Sequence, residues 1–417
     1  MSKTKNILIL TGWSYKDALI QVYTLPYVRL IKAVLPPGYG ILFVTLEQAA
    51  SRLTPEETKQ VTAALAEEGI TWMPFGYRRF GLAGLMLWGG YLLKLYFRII
   101  TQRVSCIHAW CTPAGSLGYM LSKLTRTPLV IDSYEPHAEA MVENGTWKKK
   151  SIAYRLLFHF EKKLSHHARA VLAATEAMKT YAREKYGMVP HHFFVKPACV
   201  DLDYFSKFRK KDSALLEELQ LQNKVVAIYA GKFGGIYLTR EVFDFLKTAK
   251  DYWGSAFKVL LLTNHPTAEI KSWAAQSGFD FNDVVLRFVK PSEMPVYVGL
   301  ADFAITPVKP VPTKRYCTPI KDGEYWAMGL PVVITRDISD DSDIIQKHNA
   351  GYVLPSLDKE SYLAAVQKID SLLKDNRQET ENRIRSLAFT YRNFSDAQKI
   401  YREIYMSIIP LQGPLLR

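Results

Sequence analysis

At 417 residues the chain is long enough for two or three domains, each with its own core. Its composition, 48% apolar and 23% charged with no low-complexity tract, is that of a folded globular protein, and Cys106, Cys111, Cys199 and Cys317 show neither metal-ligand spacing nor a redox pair. Those cysteines suit a reduced, cytoplasmic setting, and the net charge of +14 favours anionic partners such as a nucleotide, a pyrophosphate lipid, a membrane surface or a nucleic acid.

The first ten residues carry lysines and an apolar run too short for a signal peptide, and no stretch reaches the roughly 18 uninterrupted apolar residues of a spanning helix. Residues 6–10 predict a buried parallel strand followed by the turn Thr11-Gly12-Trp13-Ser14. Residues 18–35 predict a helix stopped by Pro36 and Pro37, 41–46 a second strand, 54–69 a charged helix opened by Thr54, Pro55 and Glu56, and 70–73 a third strand. Such alternation argues for a doubly wound α/β sheet. The most apolar stretch, 82–97, is flanked by Arg78, Arg79, Arg98 and Arg103. Two readings stay open for it: a core helix covering the sheet, or an interfacial segment resting on an anionic membrane.

Residues 106–110 predict a strand with His108 at its C-terminal end, 112–124 a helix, and 128–132 a strand leading into Ser133-Tyr134-Glu135-Pro136-His137. Open parallel sheets bind ligands at the carboxyl ends of their strands, which singles out His108, Glu135 and His137. Each of the three equally suits a helix cap or a hydrogen bond at the core edge. The charged stretch 206–223 reads as a linker, after which the alternation restarts. A strand at 225–230 runs into Gly231-Lys232-Phe233-Gly234-Gly235, a pattern that lets backbone approach a phosphate with Lys232 as its cation. Strands follow at 258–263, at 284–289 with Arg287, and at 301–307.

Residues 318–333 then read as a short helix with both ends marked and a buried strand beyond it. Thr318 suits the N-cap, Pro319 the first helical position, and Gly329 a left-handed terminus. Free amides at Pro319-Ile320-Lys321 make an anion site. Lys321 opposes the helix dipole there, so a bound phosphate accounts for it better than local stability. Glu324, three residues on and on nearly the same face, can accept two hydrogen bonds from a sugar diol. An ordinary capped helix with an exposed Lys and Glu would have the same spacing.

The pattern Pro319-x-Lys321-x-x-Glu324-Tyr325-x-Ala327-x-Gly329-x-Pro331-Val332-Val333 resembles the nucleotide-sugar signature of retaining family-4 glycosyltransferases of the GT-B fold. Pro197-Ala198-Cys199-Val200-Asp201, followed by Phe205, resembles the end of the family's first domain. The resemblance covers nearly the whole chain, with its specific motifs at 195–345. It implies two Rossmann-like doubly wound domains facing a central cleft: an acceptor-binding domain at 1–205, a linker at 206–224, a nucleotide-sugar-binding domain at 225–390, and a C-terminal helix at 391–417 returning to the first domain. It also implies that Glu324 holds the ribose, that Arg287 lies where relatives contact the base through backbone, and that Gly231, Lys232, Gly234, Gly235, Thr318, Pro319, Ile320 and Lys321 surround the diphosphate. Gly12, His108, Glu135 and His137 fall on the acceptor side, with His137 beside Lys232 and Lys321 as a catalytic group. The sequence departs from the family at two places. Tyr316 stands where a first Glu belongs, eight residues before Glu324, and Tyr237 where a second base belongs, five residues after Lys232; Arg240 or Lys321 alone is left to supply that charge.

These readings describe an enzyme moving a sugar from a UDP- or GDP-sugar to a lipid-linked or saccharide acceptor with retention of configuration, in the cytoplasm or peripherally on the inner face of the plasma membrane. Without an Asp-x-Asp motif at a strand end, no metal site and no obligatory cofactor are expected. A sugar-nucleotide epimerase of the same fold is the enzyme alternative, but it needs several acid-base carboxylates where the first domain offers Asp17 and Glu135. A basic scaffold or nucleic-acid binder would show a basic stripe with interleaved aromatics, and the longest run of lysines is Lys148-Lys149-Lys150; no nucleic acid is expected as a partner.

Overall fold

The structure is a computed structural model that describes residues 4–78, 82–188, 190, 192–207 and 211–409; Arg79 lies outside the described residues. The chain divides into two compact units, the first formed by Met1–Val142, Thr146–Lys196 and Ser395–Arg417, the second by Glu143–Gly145 and Pro197–Phe394.

In the first unit the elements run β1 (Lys5–Leu10), α1 (Leu25–Val34), β2 (Tyr39–Glu47), α2 (Pro55–Glu67), β3 (Ile70–Gly76), α3 (Leu82–Thr101), β4 (Val104–Trp110), α4 (Cys111–Thr125), β5 (Leu129–Asp132), α5 (His137–Glu143), α6 (Ile152–His167), β6 (Ala170–Ala173), α7 (Ala177–Tyr181) and β7 (Phe193–Val195). The seven strands are parallel in the order β3-β2-β1-β4-β5-β6-β7, so the winding reverses between β1 and β4. Ile7, Leu8 and Ile9 are fully buried at the centre, as a strand covered on both faces requires. The helix expected over 18–35 is interrupted. Leu19–Thr24 wind as a wider π turn, and the α-helix begins at Leu25 because Pro26 in its first turn has no N–H for an earlier carbonyl. At α2 the expected opening is a full capping box: the Thr54 hydroxyl accepts from the Glu57 amide while the Glu57 carboxylate accepts from the Thr54 amide.

The second unit runs α8 (Leu202–Ser206), α9 (Ser213–Glu218), β8 (Val225–Ala230), α10 (Arg240–Trp253), β9 (Phe257–Leu262), α11 (Thr267–Gln276), β10 (Val284–Arg287), α12 (Met294–Val298), β11 (Phe303–Thr306), α13 (Ile320–Ala327), β12 (Val332–Thr335), α14 (Asp341–Lys347), β13 (Gly351–Leu354), α15 (Lys359–Lys374) and α16 (Arg377–Tyr391). Its six parallel strands follow the order β10-β9-β8-β11-β12-β13, reversing between β8 and β11. The described residues of 197–224, where the sequence places a domain end and a linker, pack into this unit instead. Val200, Leu202, Phe205, Leu219 and Leu221 are buried in one core with β8 and α13, because their apolar side chains gain more from burial than a solvated linker would. The Val200 amide donates to the Arg392 carbonyl at 2.8 Å, and Val200 pairs in parallel with Asn393.

The last helix, α17 (Phe394–Ile408), belongs from Ser395 onward to the first unit. Tyr401 donates to Asp132 Oδ2 at 2.6 Å, and Tyr405 meets His108 Nδ1 at 2.7 Å. Among the described residues no helix is long and apolar enough to cross a membrane.

Candidate active site

In the second unit, β8 ends at Ala230 and the chain turns through Gly231, Gly234 and Gly235, all at positive φ. Gly231, with φ +151°, has no room for a side chain: a Cβ there would stand 2.5 Å from Lys321 Nζ and 3.2 Å from the Tyr229 hydroxyl. The loop is tied to α13, since the Ala230 amide donates to the Tyr325 hydroxyl at 3.0 Å. Gly231 and the N-terminus of α13, 89 residues apart in sequence, thereby meet at the carboxyl end of β8, beside the point where the strand order reverses.

The helix itself begins one residue later than expected. Pro319 is the N-cap, with extended ψ of 119°, and Ile320 is the first helical residue. Proline rather than Thr318 therefore marks the boundary, and the Thr318 hydroxyl lies 3.3 Å from that of Ser339. Gly329 follows the helix at φ +79°, the left-handed terminus its sequence predicts.

Lys321 is not the exposed base of a capped helix. It is 9% exposed, with its ammonium 4.3 Å from the ring centroid of Tyr237 and 4.6 Å from that of Tyr229. Burial lowers its pKa to about 8, against partial opposition from its neighbours Asp322 and Glu324. Glu324 is half-buried on the same helix, and burial raises its carboxyl to about 7 although Lys321 pulls it down. A desolvated ammonium beside an amide-lined glycine turn can neutralise a phosphate, and a carboxylate one turn further can accept from vicinal hydroxyls. Lys232 is exposed on the loop, and its carbonyl accepts from Tyr229. Arg287 is exposed at the end of β10. Arg240, the other candidate for the missing base, is exposed at the start of α10 and 3.6 Å from Asp244.

Beneath α13 lies a second layer of charge that the sequence reading missed. Asp322 is fully buried and accepts from Thr306 at the end of β11, with Asp341 beside it and Arg392 paired to Asp341. Burial, and then the Asp341 charge, push Asp322 well above the usual carboxylate range, which favours its protonated form. Arg392 lies 5.2 Å from the Trp326 ring centroid. These residues spread over 86 positions and match no local motif, which is why spacing did not reveal them.

In the first unit the strand-end candidates separate. Glu135 and His137 lie beyond β5, each about one quarter exposed at the side chain, with His137 Nδ1 3.0 Å from Glu135 Oε1. Cys111, at φ +61° where β4 becomes α4, brings its thiol within 4.8 Å of both, a set able to hold a soft divalent cation. The three come from neighbouring strand ends, so no spacing along the chain announces them. Gly12 follows β1 with open space at its Cβ position.

His108 is a correction. It sits inside β4 rather than at its end, is fully buried, and faces Tyr405 and, at 3.5 Å, Asp132. Burial holds its pKa down. It belongs to the internal packing of α17, not to a ligand-facing edge. Asp132 is also fully buried. Burial works to raise it, but Lys196 at 3.2 Å and its hydrogen bonds leave it at about 2.

Two doubly wound parallel sheets of this kind, the second carrying a glycine turn and a helix-borne Lys and Glu, are the GT-B architecture. Solved structures with that fold superpose on almost the whole chain. The Anabaena Alr3699/HepE structure in complex with UDP and glucose has a TM-score of 0.69 at 15% identity, covering 97% of this chain and 100% of that one. Sucrose-phosphate synthase from Thermosynechococcus elongatus has a TM-score of 0.69 at 13% identity, covering 97% and 100%. WaaG, a glycosyltransferase involved in lipopolysaccharide biosynthesis, has a TM-score of 0.67 at 14% identity, covering 95% and 99%. No curated protein matches the chain by sequence. Family models do match: residues 29–199 fit the glycosyl transferase 4-like domain, and residues 226–375 fit the glycosyl transferases group 1. The chain therefore carries a glycosyl transferase 4-like domain followed by a group 1 glycosyl transferase domain, and it is a glycosyltransferase of GT-B fold.

Proposed function

We propose that the chain transfers a glycosyl unit from a nucleoside-diphosphate sugar to a hydroxyl of a lipid-linked or saccharide acceptor, with retention at the anomeric carbon. The observation that carries the donor class is the buried Lys321 ammonium against Gly231, with Glu324 three residues further on the same helix. UDP and UDP-glucose in the HepE complexes support a UDP-sugar as the first donor to test.

In this reading the amides of Ile320 and Lys321, the Lys321 ammonium and Lys232 receive the diphosphate, and Glu324 accepts from the ribose hydroxyls. Charge grows on the departing phosphate oxygen as its bond to the sugar breaks, so fixed cations there lower the barrier, and no metal is required for that role. Attack on the same face brings the acceptor hydroxyl beside that oxygen, which takes its proton as the new glycosidic bond forms. Glu135 and His137, at the strand ends of the first unit, are the residues assigned to the transferred sugar and the acceptor. WaaG supports an acceptor from cell-envelope glycan assembly.

A panel of UDP-, GDP- and ADP-sugars, read by donor hydrolysis and by protection against heat, tests the assignment. One nucleotide should protect, and Glu324→Ala should weaken its binding by about 3 kcal/mol through loss of a charged acceptor. Lys321→Ala and Lys232→Ala should depress turnover at saturating donor, and activity should survive EDTA. No protection by any nucleotide, or unchanged nucleotide affinity in Glu324→Ala by calorimetry, would overturn this donor site.

A further inference from the structure

The apolar run 82–101 is one helix, α3, and only one side of it is used inside the first unit. Leu95 and Ile99 are buried against the sheet, and Tyr91 donates to the Gly76 carbonyl at 2.8 Å. The opposite side carries Met86, Leu93, Phe97 and Ile100, exposed by 74%, 61%, 61% and 56%. These positions, with exposed Gly90 between the first two, are spaced four, three, four and three residues apart. They form a continuous apolar seam along the solvent side of a helix whose other side is already buried.

The seam does not stand alone. Helix α4 packs between α3 and α6, making one layer. On α4, Met120 and Leu124 are exposed, and on α6, Ile152 and Leu156. Between these apolar side chains lie exposed bases: Lys94 and Arg98 on α3, Lys123 on α4, and Arg155, Lys162 and Lys163 on α6. Across all three helices there is a single acidic residue, Glu161. It is fully buried, accepting from the Ala138 amide and from Tyr186, so it contributes nothing to the outer surface.

We infer that this three-helix layer is a docking surface for an anionic phospholipid bilayer. The mixture of protruding apolar side chains and bases is what an interfacial surface needs: the apolar groups enter the headgroup boundary while the bases meet lipid phosphates. A second copy of the chain is the poorer occupant. Self-pairing of α3 would bring Lys94 and Arg98 against the same bases of the partner helix, with no carboxylate on α3 to compensate. An anionic bilayer covers the apolar seam and neutralises those bases together.

The test is sedimentation of the purified full-length chain with vesicles of phosphatidylglycerol and phosphatidylcholine, and with phosphatidylcholine alone. Binding to the anionic vesicles is expected at low salt, with loss as salt rises. Leu93→Ser with Phe97→Ser, which removes apolar insertion, should lower the partition coefficient about tenfold or more. Lys162→Glu with Lys163→Glu, on a different helix of the layer, should do the same. Lys59→Glu on α2, outside this layer, should leave binding near the starting value. Thermal melts by circular dichroism should be unchanged, since every substituted side chain is exposed. Absence of binding at low salt, or binding that ignores both double variants, overturns the inference. So does a dimer in solution that Leu93→Ser with Phe97→Ser dissociates, because a second copy would then be what covers the seam.

Discussion

Lys321 holds its ammonium 4.3 Å from the ring centroid of Tyr237, the residue that stands where the pattern this sequence resembles has a second base. The substitution removes a charge from the loop after β8 and supplies an aromatic face to the charge that remains. A desolvated cation over an aromatic ring gains about 2 kcal/mol, which offsets part of the cost of burying it. Tyr237→Phe should therefore keep kcat/KM within about threefold, because the ring stays. Tyr237→Leu should lower kcat/KM by about tenfold or more, the equivalent of the lost contact. Equal activity of the two variants would mean that the ring does not hold Lys321.

The same burial sets a pH window. Glu324 in the free chain titrates at about 7, so below that pH it is a neutral acid and a weaker acceptor for the ribose. Lys321 titrates at about 8, so above that pH it loses the charge proposed to meet the diphosphate. Donor capture as proposed needs the first deprotonated and the second protonated. The profile of kcat/KM should rise through about 7 and fall through about 8, since it reports the free enzyme. Glu324→Gln should flatten the acid limb, and Lys321→Arg should move the alkaline limb beyond reach. A flat wild-type profile from about pH 6 to 9 would contradict both assignments.

Gly231→Ala addresses the close approach directly. The added methyl would sit 2.5 Å from Lys321 Nζ, at a φ of +151° that side chains rarely adopt. Lys321 must move off its rings, or the loop must shift. The expected result is a stability loss of about 1–3 kcal/mol in denaturant melts together with weakened nucleotide protection. Normal protection by nucleotide in this variant would show that the diphosphate does not lie against Gly231.

Strand–helix alternation and the glycine-rich punctuation made both doubly wound sheets legible from the sequence, because buried parallel strands read as short apolar runs. The α13 stretch was legible for the same local reasons: Pro319 and Gly329 mark its ends, and Lys321 and Glu324 share a face. The aromatic cage was not, since Tyr229 and Tyr237 lie 84 or more positions from Lys321 in sequence and meet it only in the folded chain. His108 was misassigned because a strand end read from sequence is uncertain by a couple of residues. Two residues separate a ligand-facing edge from a core position that Tyr401 and Tyr405 cover.

The layer under α13 yields the sharpest contrast between two chemically similar changes. Asp322 and Asp341 are both buried aspartates, but only Asp341 is paired with Arg392. Burial and the Asp341 charge favour the protonated form of Asp322, which accepts from Thr306. Asp322→Asn replaces a neutral acid by a neutral amide that keeps the acceptor oxygen and presents N–H groups to Asp341. It should cost no more than about 1 kcal/mol. Asp341→Asn leaves the Arg392 guanidinium buried beside Trp326 without a counter-charge and should cost about 3–5 kcal/mol. Because Asp322 anchors the first turn of α13 to the end of β11, the Asp341 variant should also weaken nucleotide protection without touching the nucleotide. Denaturant melts of the two single variants decide the matter: similar losses in both would mean that the two carboxylates share Arg392 as ions, and that the proton assigned to Asp322 is not there.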